Sequence, residues 1–466
     1  MVFSSFLFLL FFLPLTFFLY FLLPEKWRNG LLLVVSLVFY AWGEPTHILL
    51  MVGTTVYIWF FCRLMERCQK RGQQKPAKVI LVLCVSASLL TLAYYKYFGF
   101  LVENLPFLGT LAGKAPALPI GISFYTFQTL SYVVDVYRGD TKAQKSWVNF
   151  AMYISFFPQL IAGPIVRYTD VEAQLEHRTC SANQICTGLR RFVFGLGKKV
   201  LLANQIGALW EEISHMNQLT TGLAWLGAAA FMLQIYFDFS AYSDMAIGMG
   251  RMFGFHFPEN FRYPYESRSI TEFWRRWHIS LGTWFREYVY IPLGGNRRGS
   301  KRLILNLLIV WSLTGLWHGA GWQFLLWGLY YFVLLTLEKF LLRDKLEKLP
   351  GFLQHGYTLI LVLFGWVIFA CRDVGHAFTM YKAMLGIGVP FGSSATLFYF
   401  LQNWLLLVIL ALGCTAIPKR MAKNLCRSMG STGFEVCTRV AMILILVGSV
   451  TCLVADSYNP FLYFRF

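Results

Sequence analysis

Apolar residues in this chain arrive in long runs, not at helical or alternating intervals. The runs cover 3–23, 31–42, 48–65, 79–98, 120–136, 148–165, 223–235, 303–317, 322–341, 357–370, 397–417 and 440–454, with short polar loops between them. About 20 consecutive apolar residues cross the hydrocarbon core as a helix, so the pattern predicts an all-α, polytopic integral membrane protein. Several runs of about 12 to 17 residues reach only about 18–26 Å of a core about 30 Å thick. These predict re-entrant or broken helices, which the bilayer tolerates only against protein or a water-filled cavity. No polar block is long enough to fold alone, so residues 1–466 are expected to form a single membrane domain.

Composition strengthens this reading. The chain is 57% hydrophobic and 14% charged, more apolar surface than a soluble core can hide. A net charge of +18 would suggest nucleic acid in a soluble protein, but here Lys and Arg collect in loops at 26–28, 63–78, 138–145, 297–302, 343–348 and 419–427. Positive charge between apolar runs marks the cytoplasmic side, so the charge reports topology and no nucleic-acid partner is expected. All six loops can be cytoplasmic if the pieces between 148 and 291 include re-entrant segments, and both termini then face outside. Residues 3–23 lack a basic leader and a small-residue cleavage site, and are expected to be a retained first span. The ten cysteines show no CxxC and no metal spacing, so neither a disulfide framework nor a metal site is expected.

The segment 251–302 differs from the rest, mixing Arg and Glu with dense aromatics. Ser269 and Glu272 have capping-box spacing, which predicts a helix from Ile270 to about Tyr290, stopped by Pro292 and Gly294-Gly295. On such a helix Arg275, His278, Gly282 and Arg286 form one stripe, and Gly282 leaves room for a ligand against the backbone.

Among eight histidines, His47, His177, His215, His355 and His376 sit at loops or segment ends, and His256 reads as packing. His318 is different. A helix starting near Leu303 carries it about 24 Å from Arg302, deep in the membrane. Gly319-Ala320-Gly321 permits a sharp turn, and the run 322–341 returns toward Lys339, Arg343 and Lys345, making a hairpin with His318 at its tip. An intramembrane imidazole marks a functional site by default, and no Asp, Glu, Lys, Arg or Cys between Leu303 and Leu337 can pair with it.

The run YFDFSAYSDMAIGMGRMFGFHFPENFRYPYESRSITEFWRRWHISLGTWFREYVYIPLGGNRRG from Tyr236 to Gly299 resembles the signature block of the alginate-type branch of membrane-bound O-acyltransferases. GLWHGAGWQFLLWG, from Gly315 to Gly328, is similar to the family's active-site His motif, and the ending NPFLYFRF to that branch's C-terminus. Ala241, Arg262, Gly282 and Glu287 depart from a pattern that usually has Gly, Asn, Ser and Asp there.

The resemblance implies a fold of about eleven spans with re-entrant and interfacial helices around a central cavity. It implies that His318 and His278 are catalytic, with His318 as general base on an incoming hydroxyl. It further implies an acetyl group carried from a cytoplasmic thioester, acetyl-CoA or another, with no tightly bound cofactor. The acceptor that the resemblance implies is an extracytoplasmic polysaccharide such as alginate, reached directly or through an SGNH-like acyltransferase partner outside the bacterial inner membrane. Arg275, Arg276, Gly282, Arg286 and Asn296 are the residues expected to bind the donor, since guanidinium groups suit its phosphates. D-alanyl transfer to teichoic acids, from the same family, and a transporter are the alternatives. No role follows from sequence for Asp238, Tyr242, Ser243 or Asp244.

Overall fold

A computed structural model describes residues 1–105, 107, 115–455 and 462. The ending at 459–466, apart from Leu462, therefore lies outside the described residues. All regular elements among the described residues are helices, as the apolar runs predict. Seven are long and apolar enough to cross a membrane: Ile48–Lys70, Gln74–Asn104, Thr221–Met252, Trp322–Leu346, Gly351–Ala370, Ser394–Gly413 and Ile417–Ala455. Burial differs sharply along them. The apolar window of Ser394–Gly413 is 6% buried, whereas that of Thr221–Met252 is 72% buried. The first presents Leu and Phe side chains outward, a surface that lipid satisfies and water does not.

The sequence pattern and the helices part company at two runs. The run 148–165 breaks although it is longer than the runs expected to do so: Trp147–Ser155, capped by the Ser146 side chain accepting from Asn149 N–H, ends at Phe156 before a single turn at Phe157–Leu160. The run 223–235 does not break. It continues as the 32-residue helix Thr221–Met252, because Asp238, Ser240, Ser243 and Asp244 interrupt the hydropathy and leave the backbone ladder intact.

The chain divides into two compact units, Met1–Phe192 with Ser243–Pro258, and Val193–Tyr242 with Glu259–Phe466. In the first, Ile48–Lys70 and Gln74–Asn104 are joined by a turn in which Gly72 takes φ +73°. Its interior is held by Tyr20, whose hydroxyl donates to the Phe253 carbonyl at 2.9 Å, and by Arg191, which pairs with Asp244 at 2.8 Å. The second unit contains every residue singled out above for chemistry except Asp244 and Ser243. Its Gly299–His318 and Trp322–Leu337 helices pack along their lengths.

Candidate active site

The His318 hairpin is closed by small residues. A Cβ on Gly315 would strike the Phe324 carbonyl oxygen, and one on Gly328 the Trp311 carbonyl oxygen, so the two backbones approach to glycine contact. The helix Gly299–His318 holds 20 residues, about 30 Å, and ends at the imidazole. The tip differs from its expectation in cause. Gly319 and Gly321 are extended, at φ −173° and −165°, a conformation open to any residue. Glycine is required at 319 because a Cβ there would enter the Phe324 ring.

His318 is 5% exposed and enclosed by aromatic rings, with centroids at 4.9 Å to Trp317, 5.0 Å to Trp327 and 5.2 Å to Phe369. Phe369 in turn packs edge-on against Phe324 at 5.3 Å. These two phenylalanines line a cavity of about 720 Å³ whose other walls include Trp210, Glu211, His215, Gln323 and His376. His215 and His376, unremarkable in sequence, thus face the space beside the His318 cage. At its rim the Asp373 carboxyl is held below its ordinary range by the His376 backbone N–H and by Arg372.

The helix expected from Ile270 to Tyr290 is not continuous. It starts at Ile270, with the Ser269 hydroxyl accepting from Glu272 N–H at 3.0 Å, but the reciprocal bond from Glu272 goes to Arg268 N–H instead of Ser269. It stops at Arg276, restarts at Ile279–Phe285, and closes as a π turn over Arg286–Tyr290. The break is at His278, whose backbone is left-handed at φ +44°, ψ 54°. An extended piece of chain takes over the lost helical bonds: Arg262 N–H donates to the Arg276 carbonyl, and Ile279 N–H to the Asn260 carbonyl, each at 3.0 Å. Arg275, His278, Gly282 and Arg286 therefore do not form one stripe.

The break turns His278 inward. It is 1% exposed, with Phe239 edge-on at 4.7 Å and Trp317 at 6.0 Å, so one indole stands between the two imidazoles. Its Nδ1 donates to Asn260 Oδ1 at 3.1 Å, and the same oxygen accepts from the Ser280 hydroxyl at 2.9 Å. That bond fixes the proton on Nδ1 and leaves Nε2 as the basic nitrogen. Burial pushes the imidazole down to about 3, so it is neutral at physiological pH.

The expected donor residues are dispersed. Gly282, Arg286 and Asn296 are exposed, and a Cβ on Gly282 would meet only the Trp274 carbonyl oxygen, at 4.0 Å. Arg276 is held by Glu272 at 2.5 Å and Glu266 at 4.0 Å. Arg275 opens onto a separate cavity with Arg268 and Lys339. Sequence reasoning missed Asn260 and Ser280, which lie inside the quoted block, and Lys199, which pairs with Asp238 at 2.5 Å with both side chains 2% exposed. A lysine inside the apolar stretch 192–203 is the signal that would have found it. Among the described residues no cluster of His, Cys, Asp and Glu could hold a metal ion.

The helical chain thus cages one imidazole at a hairpin tip and orients a second beside it. The model of the MBOAT, membrane-bound O-acyltransferase family, matches residues 143–372. The chain is 41% identical to a probable alginate O-acetylase of Pseudomonas putida over the full length of both. It is 32% identical to a peptidoglycan O-acetyltransferase of Helicobacter pylori over 83% of this chain and 80% of that one. It is 28% identical to a teichoic acid D-alanyltransferase of Bacillus subtilis over 55% of this chain and 70% of that one. The chain belongs to the membrane-bound O-acyltransferase family, and is an O-acyltransferase.

Proposed function

We propose that the chain passes an acetyl group from a cytoplasmic thioester, acetyl-CoA, to the hydroxyl of an extracytoplasmic polysaccharide such as alginate, directly or by way of an SGNH-like partner. The observation that carries this reading is His318, an imidazole sealed by Trp317, Trp327 and Phe369 at the end of its helix opposite the basic loop 297–302. Full-length similarity to an alginate O-acetylase supports acetyl over D-alanyl, since the resemblance to the D-alanyltransferase is weaker and covers about half the chain.

In this mechanism His318 accepts the proton of the attacking hydroxyl as its oxygen adds to the thioester carbonyl. The C–S bond then breaks, the ester forms, and the proton leaves with the thiolate. His278, neutral and held by Asn260, presents Nε2 on the other side of Trp317 and completes the polar interior of the site. Gly282 on the helix that follows, and Arg286 and Asn296 beyond it, are exposed and receive the donor. Arg276 is already committed to carboxylates, and Arg275 looks into a different cavity. Residues 1–466 act as one acyltransferase domain, with both termini extracytoplasmic in the inner membrane.

Replacing His318 by Ala tests the reading. Loss of a general base costs about 10²–10⁴ in rate, so acetylation of the glycan should fall by that factor with membrane level and thermal stability near the parent's. A folded His318→Ala protein retaining more than about a tenth of parental turnover would remove the base assignment.

A further inference from the structure

Leu307 of the Gly299–His318 helix, the end of the Trp322–Leu346 span and the start of the Gly351–Ala370 helix surround one cavity of about 570 Å³. That size is within the range of about 300–1,000 Å³ typical of small-molecule sites. Four cations, Arg268, Arg275, Lys339 and Arg343, line it with three carboxylates, Glu272, Glu338 and Glu347.

Each carboxylate already has a partner, and only Arg343 among the four cationic side chains is one of them. Glu338, 3% exposed, accepts from the Ile270 N–H at 2.6 Å, the Thr271 N–H at 2.9 Å and the Thr271 hydroxyl at 2.7 Å, capping the helix that opens there. Glu272 accepts from Arg276 and from the Arg268 backbone N–H, and Glu347 from Arg343. Among the described residues, Arg268, Arg275 and Lys339 have no carboxylate within ion-pair distance. The cavity is therefore short of negative charge.

It is also half apolar. Leu307, Leu335 and Leu346 form part of its wall, and Leu307 lies about 12 Å along its helix from Gly299. A soluble phosphate ester would neutralise the cations and leave these three leucines without an apolar partner. An amphiphile satisfies both, and basic pockets between membrane helices at the face marked by basic loops suit anionic headgroups.

We propose that this cavity binds the phosphate headgroup of an anionic phospholipid, with Arg268, Arg275 and Lys339 on the phosphate and the acyl chains along Leu307, Leu335 and Leu346. The full chain in neutral detergent is titrated with phosphatidylglycerol, phosphatidylcholine and coenzyme A, and bound molecules are read by native mass spectrometry. Phosphatidylglycerol is expected to bind saturably, about tenfold or more tighter than phosphatidylcholine, and to resist displacement by coenzyme A. Arg268→Gln with Lys339→Gln should weaken phosphatidylglycerol by about tenfold or more, while Arg268→Lys with Lys339→Arg retains it, separating charge recognition from misfolding. Equal retention of both lipids, or unchanged binding in the Gln pair, overturns the proposal. Displacement by coenzyme A overturns the lipid assignment and makes the cavity a site for soluble phosphate esters.

Discussion

Asn260 and His278, eighteen residues apart, are joined twice: the Asn260 side-chain oxygen accepts from the imidazole, and its backbone carbonyl accepts from Ile279 N–H directly after it. One residue thus sets both the tautomer of the imidazole and the break in the helix that turns it inward. Asn260→Ala removes the side-chain acceptor from His278 and from the Ser280 hydroxyl together. Leaving buried donors unmet costs about 1–3 kcal/mol each, so the unfolding midpoint in detergent should drop measurably. Turnover should fall as well, and an Asn260→Ala protein with parental stability and rate would show that the bond does not orient His278.

Acid should unfold the protein partly through His278. Its folded value is pushed down from 6.5 to about 3, so between those pH values the unfolded chain holds a proton that the folded chain does not. Stability is then complete above about pH 6.5 and is lost progressively as pH falls toward 3. His278→Asn removes the titration and keeps a residue that tolerates φ > 0, so its stability should decline less steeply over this window. Parallel curves for the two proteins would contradict the linkage.

Gly282 offers a steric test of donor entry. Because a Cβ there has open space, Gly282→Leu should fold normally and raise the apparent donor KM, with kcat little changed. An unchanged KM would move the donor path elsewhere.

The Lys199–Asp238 pair is buried on both sides, and Asp238 also accepts from Leu462 N–H at 3.0 Å. Lys199→Met alone strands a carboxylate and should cost about 3–5 kcal/mol. Lys199→Met with Asp238→Asn leaves an acceptor for Leu462 and no orphan charge, so the double variant should recover most of the loss in a denaturant titration. A double variant as unstable as the single would mean that Lys199 acts through something other than the pair.

How much of this was legible in sequence depended on the range of the forces involved. Hydropathy and capping are local, so the all-helical membrane character, the Ser269 cap and the His318 hairpin could be read directly. The break at His278 could not, since Trp277-His278 holds neither Gly nor Pro and the bonds that compensate it come from Asn260 and Arg262. The unbroken Thr221–Met252 helix escaped for the converse reason: its polar residues find partners such as Lys199 far away in sequence, and a hydropathy window registers only their polarity. The cage around His318 is likewise made by Trp327 and Phe369, whose closeness is a product of packing.

The glycine contacts at 315 and 328 have a kinetic side. Two helices pressed together at their backbones cannot slide past one another by a turn without opening both contacts, so the hairpin behaves as a fixed post and the imidazole at its tip as a stationary anvil. The proposed transit of the acyl group across the bilayer then requires no rocking of this part of the protein. On the proposed reading substrates arrive at a standing imidazole, and the aromatic side chains around it are the part that must step aside to admit them.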